Sequence, residues 1–232
     1  MRFEAAAGSD VGRRYAANFD VLHVSTEPLL AVVADGMGDS RGSALAGRAT
    51  VDTVVEGITG EVTPDLLRAV VARAQDTVIE IGRGDVGLAG CTLTALTGGP
   101  DGLWIVQVGD SRVYRLRGGL LELLTVDHTM AWLGAVHGWY PFDSREARNA
   151  RYHLTRYIGH PDRPAPDVLS VAPAAGDVYL LCTDGVAEQV PYARIAEVLG
   201  TRAPEPAVRE LLAAADAAGG DDNATAVVVA VR

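Results

Sequence analysis

Six consecutive apolar residues, Leu29 to Ala34, run straight into Asp35-Gly36. A short run with no polar interruption reads as a strand buried on both faces, because a strand with one wet face would alternate. That constrains the fold strongly. Whatever layer covers one face of the strand must be matched by a second layer on the other. It also makes Asp35 costly, since a carboxylate at the mouth of a buried strand loses hydration and needs a partner or a cation.

The arrangement recurs. DVYLLC (177–182) leads into Asp184-Gly185, LWIVQVG (103–109) leads into Asp110, and Asp221-Asp222-Asn223 stand just before ATAVVVAVR. One such Asp is ordinary turn chemistry. Four are different, because converging strand ends would set their carboxylates against one another at low dielectric. A divalent cation is the simplest remedy. With no Cys or His at ligand spacing, an oxygen-only set favours Mg²⁺ or Mn²⁺ over zinc. Two such ions about 3.5–4 Å apart are a common device for phosphoryl chemistry.

The rest of the chain predicts a sheet protein with paired helices. Strands are expected at 21–25, 29–34, 91–96, 103–109, 112–117 and 177–182, with a last one from Ala224. Gly118-Gly119 signals a hairpin into LLELLT. An Ala-rich helix is expected over 43–58. A second begins at Thr63-Pro64, with Leu67, Val70, Val71, Ala74, Val78 and Ile79 on one face. Further helices are expected at 188–199 and 204–217. Residues 128–158, with Trp132, Trp139 and Tyr140, read as an irregular helical excursion or flap. Helices that arrive in pairs between hairpins favour antiparallel sheets over a βαβ arrangement. With no repeat, low-complexity tract or linker, the 232 residues read as a single domain, 1–232.

Net charge is −10, which argues against nucleic acid as a partner but admits a phosphorylated substrate captured through a cation. Cys91 and Cys182 show no CxxC spacing and read as small buried residues in a reducing compartment. With no leader-like segment and no run of about 20 apolar residues, the expectation is a cytoplasmic protein without a membrane partner.

The motifs also follow a recognisable order: SDVGRRYAANFD (9–20), VVADGMG (32–38), GCTLTAL (90–96), VGDSRVYRL (108–116), LLTVDHT (123–129), LTRYIG (154–159), LLCTDGV (180–186) and DDNATAVVV (221–229). As an ordered set the chain resembles the metal-dependent Ser/Thr protein phosphatases of the PPM type (type 2C), in their compact bacterial form. The resemblance implies an α+β fold, an α-β-β-α sandwich of two antiparallel β-sheets flanked by helix pairs. It implies hydrolysis of phosphoserine and phosphothreonine monoesters on proteins, through a water activated by a dinuclear Mn²⁺ or Mg²⁺ centre. Asp35 would bridge the two ions with the Gly36 carbonyl beside it. Asp184 and Asp222 would complete the first site, Asp20 would hold a metal-bound water, and Asp110 would help bind a third ion. Thr92 and Asn223 would support them. Partners would be phosphorylated proteins, and the chain would act as a monomer.

Three positions depart from the family pattern. Tyr15 stands where an Arg usually binds substrate phosphate, leaving Arg13 and Arg14 as the replacements expected here. Phe19 stands where an acidic or amide residue is common. Ser40 stands where a His is proposed as general acid. These departures motivate an alternative, a metal-binding but catalytically weak module that binds phosphoproteins and regulates. A phosphatase dedicated to one signalling partner is a third reading.

Blander readings cover the remaining features. Gly36, Gly38 and Gly42 have the wrong spacing for a dinucleotide loop. His128 reads as a structural hydrogen-bonding histidine, Trp132, Trp139 and Tyr140 as flap packing, and Arg112, Arg115 and Arg117 as a solvated, charge-paired strand face.

Overall fold

The computed structural model describes residues 1–100, 102–141 and 143–232. Strand β3 (Leu29–Ala34) shows what its unbroken apolar run is for. Successive side chains point to opposite faces. Leu30, Val32 and Ala34 enter a core shared with helices α1 (Arg41–Gly57) and α2 (Pro64–Gly82). Leu29, Ala31 and Val33 enter a second core that faces the other sheet. The same division governs β10 (Ala224–Val231), where Ala226 and Val228 face helices while Val227 and Val229 face the opposing sheet.

Two antiparallel five-stranded sheets result. One runs β2 (Val21–Thr26), β3, β4 (Leu93–Gly99), β5 (Gly102–Val108), β8 (Asp167–Val171). The other runs β1 (Phe3–Asp10), β10, β9 (Val178–Cys182), β6 (Arg112–Arg117), β7 (Leu120–Leu123). Helices α1 and α2 cover the first sheet. Helices α5 (Asp184–Ala187), α6 (Tyr192–Thr201) and α7 (Pro204–Ala218) cover the second. This is the α-β-β-α sandwich expected from the sequence.

Local signals were obeyed closely. Thr63 caps α2, accepting from the Leu66 N–H, and Pro64 is its first residue. Gly118 and Gly119, both at positive φ, make the β6–β7 turn. On α2 the buried stripe takes Gln75, while Ile79 is half-buried. Gln75 donates to the Tyr157 carbonyl and accepts from the Gly159 N–H, so its burial anchors a loop. Two strands escaped the sequence reading, β1 and β8. β1 is FEAAAGSD, poor in β-branched residues, and is held by pairing along its whole length with β10. β8 is mostly exposed and pairs with β5 at the sheet edge.

The segment 128–158, whose residue 142 lies outside the described residues, carries two short helices, α3 (Met130–Val136) and α4 (Arg145–Ala150). Its ends clip together and onto the sandwich. The His128 N–H donates to Gly109, the Thr155 N–H to His128, and Cys91 and Ile158 exchange backbone hydrogen bonds. Tyr140 packs on Gly134 and donates to the Met130 carbonyl, as flap packing requires. Trp132 and Trp139 do not pack inward: they are 43% and 58% exposed. Among the described residues no helix is long and apolar enough to cross a membrane.

Leu181, fully buried between the sheets, gives a test of the double-sided core. Leu181→Ala is expected to cost about 3 kcal/mol in urea unfolding, and a loss under about 1 kcal/mol would show that the inter-sheet layer collapses around the deletion.

Candidate active site

Antiparallel pairing places the start of one strand beside the end of its neighbour, and register decides which residues meet. Val21 faces Ala34, so Asp20 and Asp35 flank one rung. Ala226 faces Cys182, so the residues before β10 meet those after β9, and the Thr183 N–H donates to the Thr225 carbonyl. Leu93 faces Val108, which brings Thr92 to Gly109-Asp110. Asp20, Asp35, Asp110, Asp184 and Asp222 thereby gather at one edge of the sandwich. Gly185 makes the approach possible. A Cβ there would lie 2.0 Å from the Asn223 carbonyl oxygen.

Backbone and hydroxyl contacts hold the turns that carry the carboxylates. The Asp35 N–H donates to Thr92 Oγ1 at 2.9 Å, and the Thr92 N–H returns a bond to the Asp35 carbonyl at 2.8 Å. Thr92 Oγ1 also meets Ser111 Oγ at 2.8 Å, tying the Asp110 turn to Asp35. Asn223 accepts from the Phe19 N–H and donates to the Val11 and Ala17 carbonyls, stapling the loop before Asp20 onto β10. Asp20 Oδ2 accepts from the hydroxyls of Thr183 at 2.9 Å and Thr225 at 2.7 Å, which joins the two sheets at the site. Thr92 and Asn223 therefore occupy supporting positions.

Asp35, Asp110, Asp184 and Asp222 line a cavity of about 340 Å³ together with Gly36, Tyr15, Thr92, Asn223 and, from the flap, Arg151, Tyr152 and Leu154. Asp20 lies behind it, coupled electrostatically to Asp184 and Asp222. A larger cavity of about 540 Å³ under the flap borders Arg112, Asp127, Trp132 and Glu188. Its carboxylates are already met by arginines, Asp127 by Arg112 at 2.5 Å and Glu188 by Arg151 at 3.3 Å. The unneutralised charge lies in the smaller cavity.

Burial raises the carboxyl pKa at every one of the five positions, and neighbouring carboxylates reinforce it at Asp20, Asp35, Asp110 and Asp222. Asp35 and Asp110 are pushed well above the ordinary range, Asp20 to about 7 and Asp222 to about 6. Each keeps some exposure, which tempers the desolvation without reversing it. Asp184 is raised by burial as well, offset in part by the neighbouring Asp35, the Gly185 N–H, Arg112 and Arg151.

The set fits divalent cations. Asp20 Oδ1 and Asp184 Oδ1 are buried oxygens with no hydrogen-bond partner, an expense that a bound ion would relieve. The donors are all oxygens. Among the described residues no three His, Cys, Asp or Glu side chains close on a single point. The carboxylates line the walls of a pocket instead, so each ion would take only part of its shell from them. No histidine lines the pocket.

The profile of the protein phosphatase 2C family matches residues 16–223. The chain belongs to the protein phosphatase 2C family. It is 32% identical to the serine/threonine protein phosphatase PstP of Mycobacterium tuberculosis over 97% of its own length and 44% of that protein. It thus spans less than half of the curated relatives it matches first. Among solved structures it is similar to the PPM Ser-Thr phosphatase MsPP from Mycobacterium smegmatis in complex with cacodylate (33% identity, TM-score 0.86, 99% of this chain and 98% of that one). It is also similar to the catalytic domain of PstP in complex with two manganese ions (28% identity, TM-score 0.88, 100% and 99%).

The remaining expectations divide. Arg13 does not reach the pocket. Its guanidinium is held by Asp216 through two hydrogen bonds of 2.7 and 2.6 Å on the surface. Arg14 lines a small outer recess beside Asp184 and Asp222. Tyr15 is in the pocket. Ser40 caps α1, accepting from the Ser43 N–H and donating to the Leu88 carbonyl, so its hydroxyl is spent on structure. His128 is structural. Its Nδ1 accepts from the Gly109 N–H, leaving Nε2 to donate to Asp167, and burial lowers its pKa. The three strand arginines are charge-paired, with Asp127, Glu122 and Asp177. They do not form one solvated face. Arg112 shares the helix-facing side of Tyr114 and Leu116, while Arg115 and Arg117 share the opposite side with Val113. The sequence reading missed Arg151, Tyr152 and Leu154, which reach the pocket only through the flap's return.

Two outcomes follow from this geometry. Carboxyls with raised folded pKa values bind protons more readily folded than unfolded, so stability falls as pH rises through about 6–7, where Asp222 and Asp20 ionise. His128, with its lowered pKa, acts in the opposite sense. Urea unfolding at pH 5 and pH 8 should therefore be compared in EDTA and in Mn²⁺, since the ion acts on the carboxylates alone. The fall is expected in EDTA and is cancelled by Mn²⁺; identical pH profiles would contradict the cluster. Separately, Gly185→Ala should force Asp184 from Asp222 and weaken Mn²⁺ binding at least about tenfold by calorimetry, whereas native affinity would show that the approach is slack.

Proposed function

We propose that this chain is a metal-dependent protein phosphatase acting on phosphoserine and phosphothreonine monoesters of proteins. The observation that carries the reading is the gathering of five strand-end carboxylates at one edge, four lining the pocket and Asp20 behind it, two of them with orphaned buried oxygens. Family membership and the two manganese ions in the PstP catalytic domain support it. Asp35, the Gly36 carbonyl, Asp184 and Asp222 would hold two Mn²⁺ or Mg²⁺ ions, with Asp20 behind them and Asp110 toward a third. When bound, the ions would activate a water, hold phosphate oxygens and neutralise charge as the ester bond breaks.

The chain's own residues set the terms. The carboxylates repel a phosphate dianion until their charge is met, so substrate binding is coupled to cation binding. Thr92, Ser111 and Asn223 keep the acidic turns from drifting apart. The Thr183 and Thr225 hydroxyls fix Asp20 Oδ2 and leave Oδ1 free. Residues 1–232 act as one domain with 128–158 as its flap. The free, buried Cys91 and Cys182 suit a reducing, cytoplasmic setting, where the chain would act as a monomer on phosphorylated proteins rather than on nucleic acid or membrane.

Ser40's role as a cap and Tyr15's lack of charge favour one second reading, a metal-binding module with little turnover. Hydrolysis of p-nitrophenyl phosphate in Mn²⁺, Mg²⁺ and EDTA separates the two. The expected result is metal-dependent turnover that falls at least about a hundredfold in Asp184→Ala. Mn²⁺ binding without turnover would favour the module, and turnover indifferent to EDTA would refute both.

A further inference from the structure

Among the described residues Arg151 is the one cationic residue lining the carboxylate pocket, and it borders the outer recess of about 190 Å³ that also holds Arg14. It sits just past α4, on the leg of the flap that returns to the sandwich. Its position is built from elsewhere: the Met130 N–H bonds the His153 carbonyl, the Thr155 N–H bonds His128, and His128 is tied to Gly109, next to Asp110.

The guanidinium is only partly engaged. Nε stands 3.3 Å from Glu188 Oε2 yet is buried without a hydrogen bond, and Nη2 donates to Tyr152 Oη at 3.2 Å. An Arg offers five N–H donors in a planar fork that matches phosphate oxygens, and among the described residues a single one of them is hydrogen-bonded. The other candidates are worse placed. Arg13 is occupied by Asp216, and Arg14 is exposed, lining the recess but not the pocket. Tyr15 is inside the pocket but carries no charge.

We infer that Arg151 receives the phosphate group of the substrate, the task a cation at position 15 would otherwise perform. The inference rests on the phosphatase reading above and adds the residue that recognises the phosphoryl group attacked by water, the serine or threonine hydroxyl being the leaving group. The flap then contributes to the site directly, and Glu188, 3.3 Å from Nε without a hydrogen bond, competes with the phosphate for the guanidinium. A purely structural role makes a different claim, that Arg151 is a strut fastening the flap to Glu188.

The test uses the Mn²⁺-loaded protein and inorganic phosphate as the probe, in the native chain and in Arg151→Ala, Arg151→Lys and Glu188→Gln. Calorimetry gives phosphate and Mn²⁺ affinities, and p-nitrophenyl phosphate gives KM and kcat. Arg151→Ala is expected to weaken phosphate about tenfold to a hundredfold, with KM rising in step and Mn²⁺ affinity unchanged. Arg151→Lys should recover part of the loss, and Glu188→Gln should keep phosphate affinity at or above native. Phosphate affinity within about twofold of native in Arg151→Ala, or an equal loss in Glu188→Gln, would overturn the inference. A native protein that binds phosphate through Arg151 without turnover would uphold it and defeat the hydrolase reading. Turnover indifferent to Arg151 would do the reverse, and a native protein that neither binds phosphate nor hydrolyses would defeat both.

Discussion

Face-to-face packing of two sheets, each covered by helices on its outer side, is the constraint from which the rest of this molecule follows. Every central strand is buried on both faces. Carboxylates are absent along these strands, and buried polar side chains there such as Thr94, Gln107 and Thr225 are hydrogen-bonded, because an unpaired polar group there costs free energy that packing cannot return. Carboxylates can stand only where strands emerge. Antiparallel pairing then puts the emerging ends of neighbouring strands at the same edge, so the fold that forbids charge in its interior concentrates charge at its rim.

That concentration is unfavourable for the protein alone. Burial raises the pKa of the carboxyls, and mutual repulsion adds to it at Asp20, Asp35, Asp110 and Asp222. The turns that carry them are fastened by uncharged groups: Thr92 to Asp35, Ser111 to Thr92, Asn223 to the loop before Asp20, and two threonine hydroxyls to Asp20 itself. Hydroxyls and amides can hold a carboxylate in place without cancelling its charge, which arginines would do. The arginine pairs of the sandwich lie elsewhere, as with Arg112 and Asp127 beneath the neighbouring cavity. Charge is preserved in one pocket and neutralised around it, an arrangement suited to cations.

The flap shows a different logic. Its two short helices contribute little to the main core, yet backbone bonds at 128, 130, 153, 155 and 158 fix both of its ends beside Asp110 and Cys91. A segment fastened at its ends and open along its length can present side chains to the pocket while leaving Trp132 and Trp139 at the surface. Rigid layers position the acids, and this lighter element positions the groups that face them.

The layers and the acids are written in local sequence. Strand β3 was legible from its apolar run, the β6–β7 turn from Gly118-Gly119, the start of α2 from Thr63-Pro64, and the cluster of carboxylates from their repeated place at strand ends, because each of these signals is local and acts through burial or backbone geometry. Tertiary structure alone decided which strands paired and hence what met at the rim. β1 is a strand only because β10 pairs with it. Ser40 is tied to Leu88 and Arg13 is bound to Asp216 for reasons no motif carries. Arg151 faces the acids because the flap returns where it does. These outcomes depend on contacts between residues far apart in the chain, and composition and spacing hold no record of such contacts.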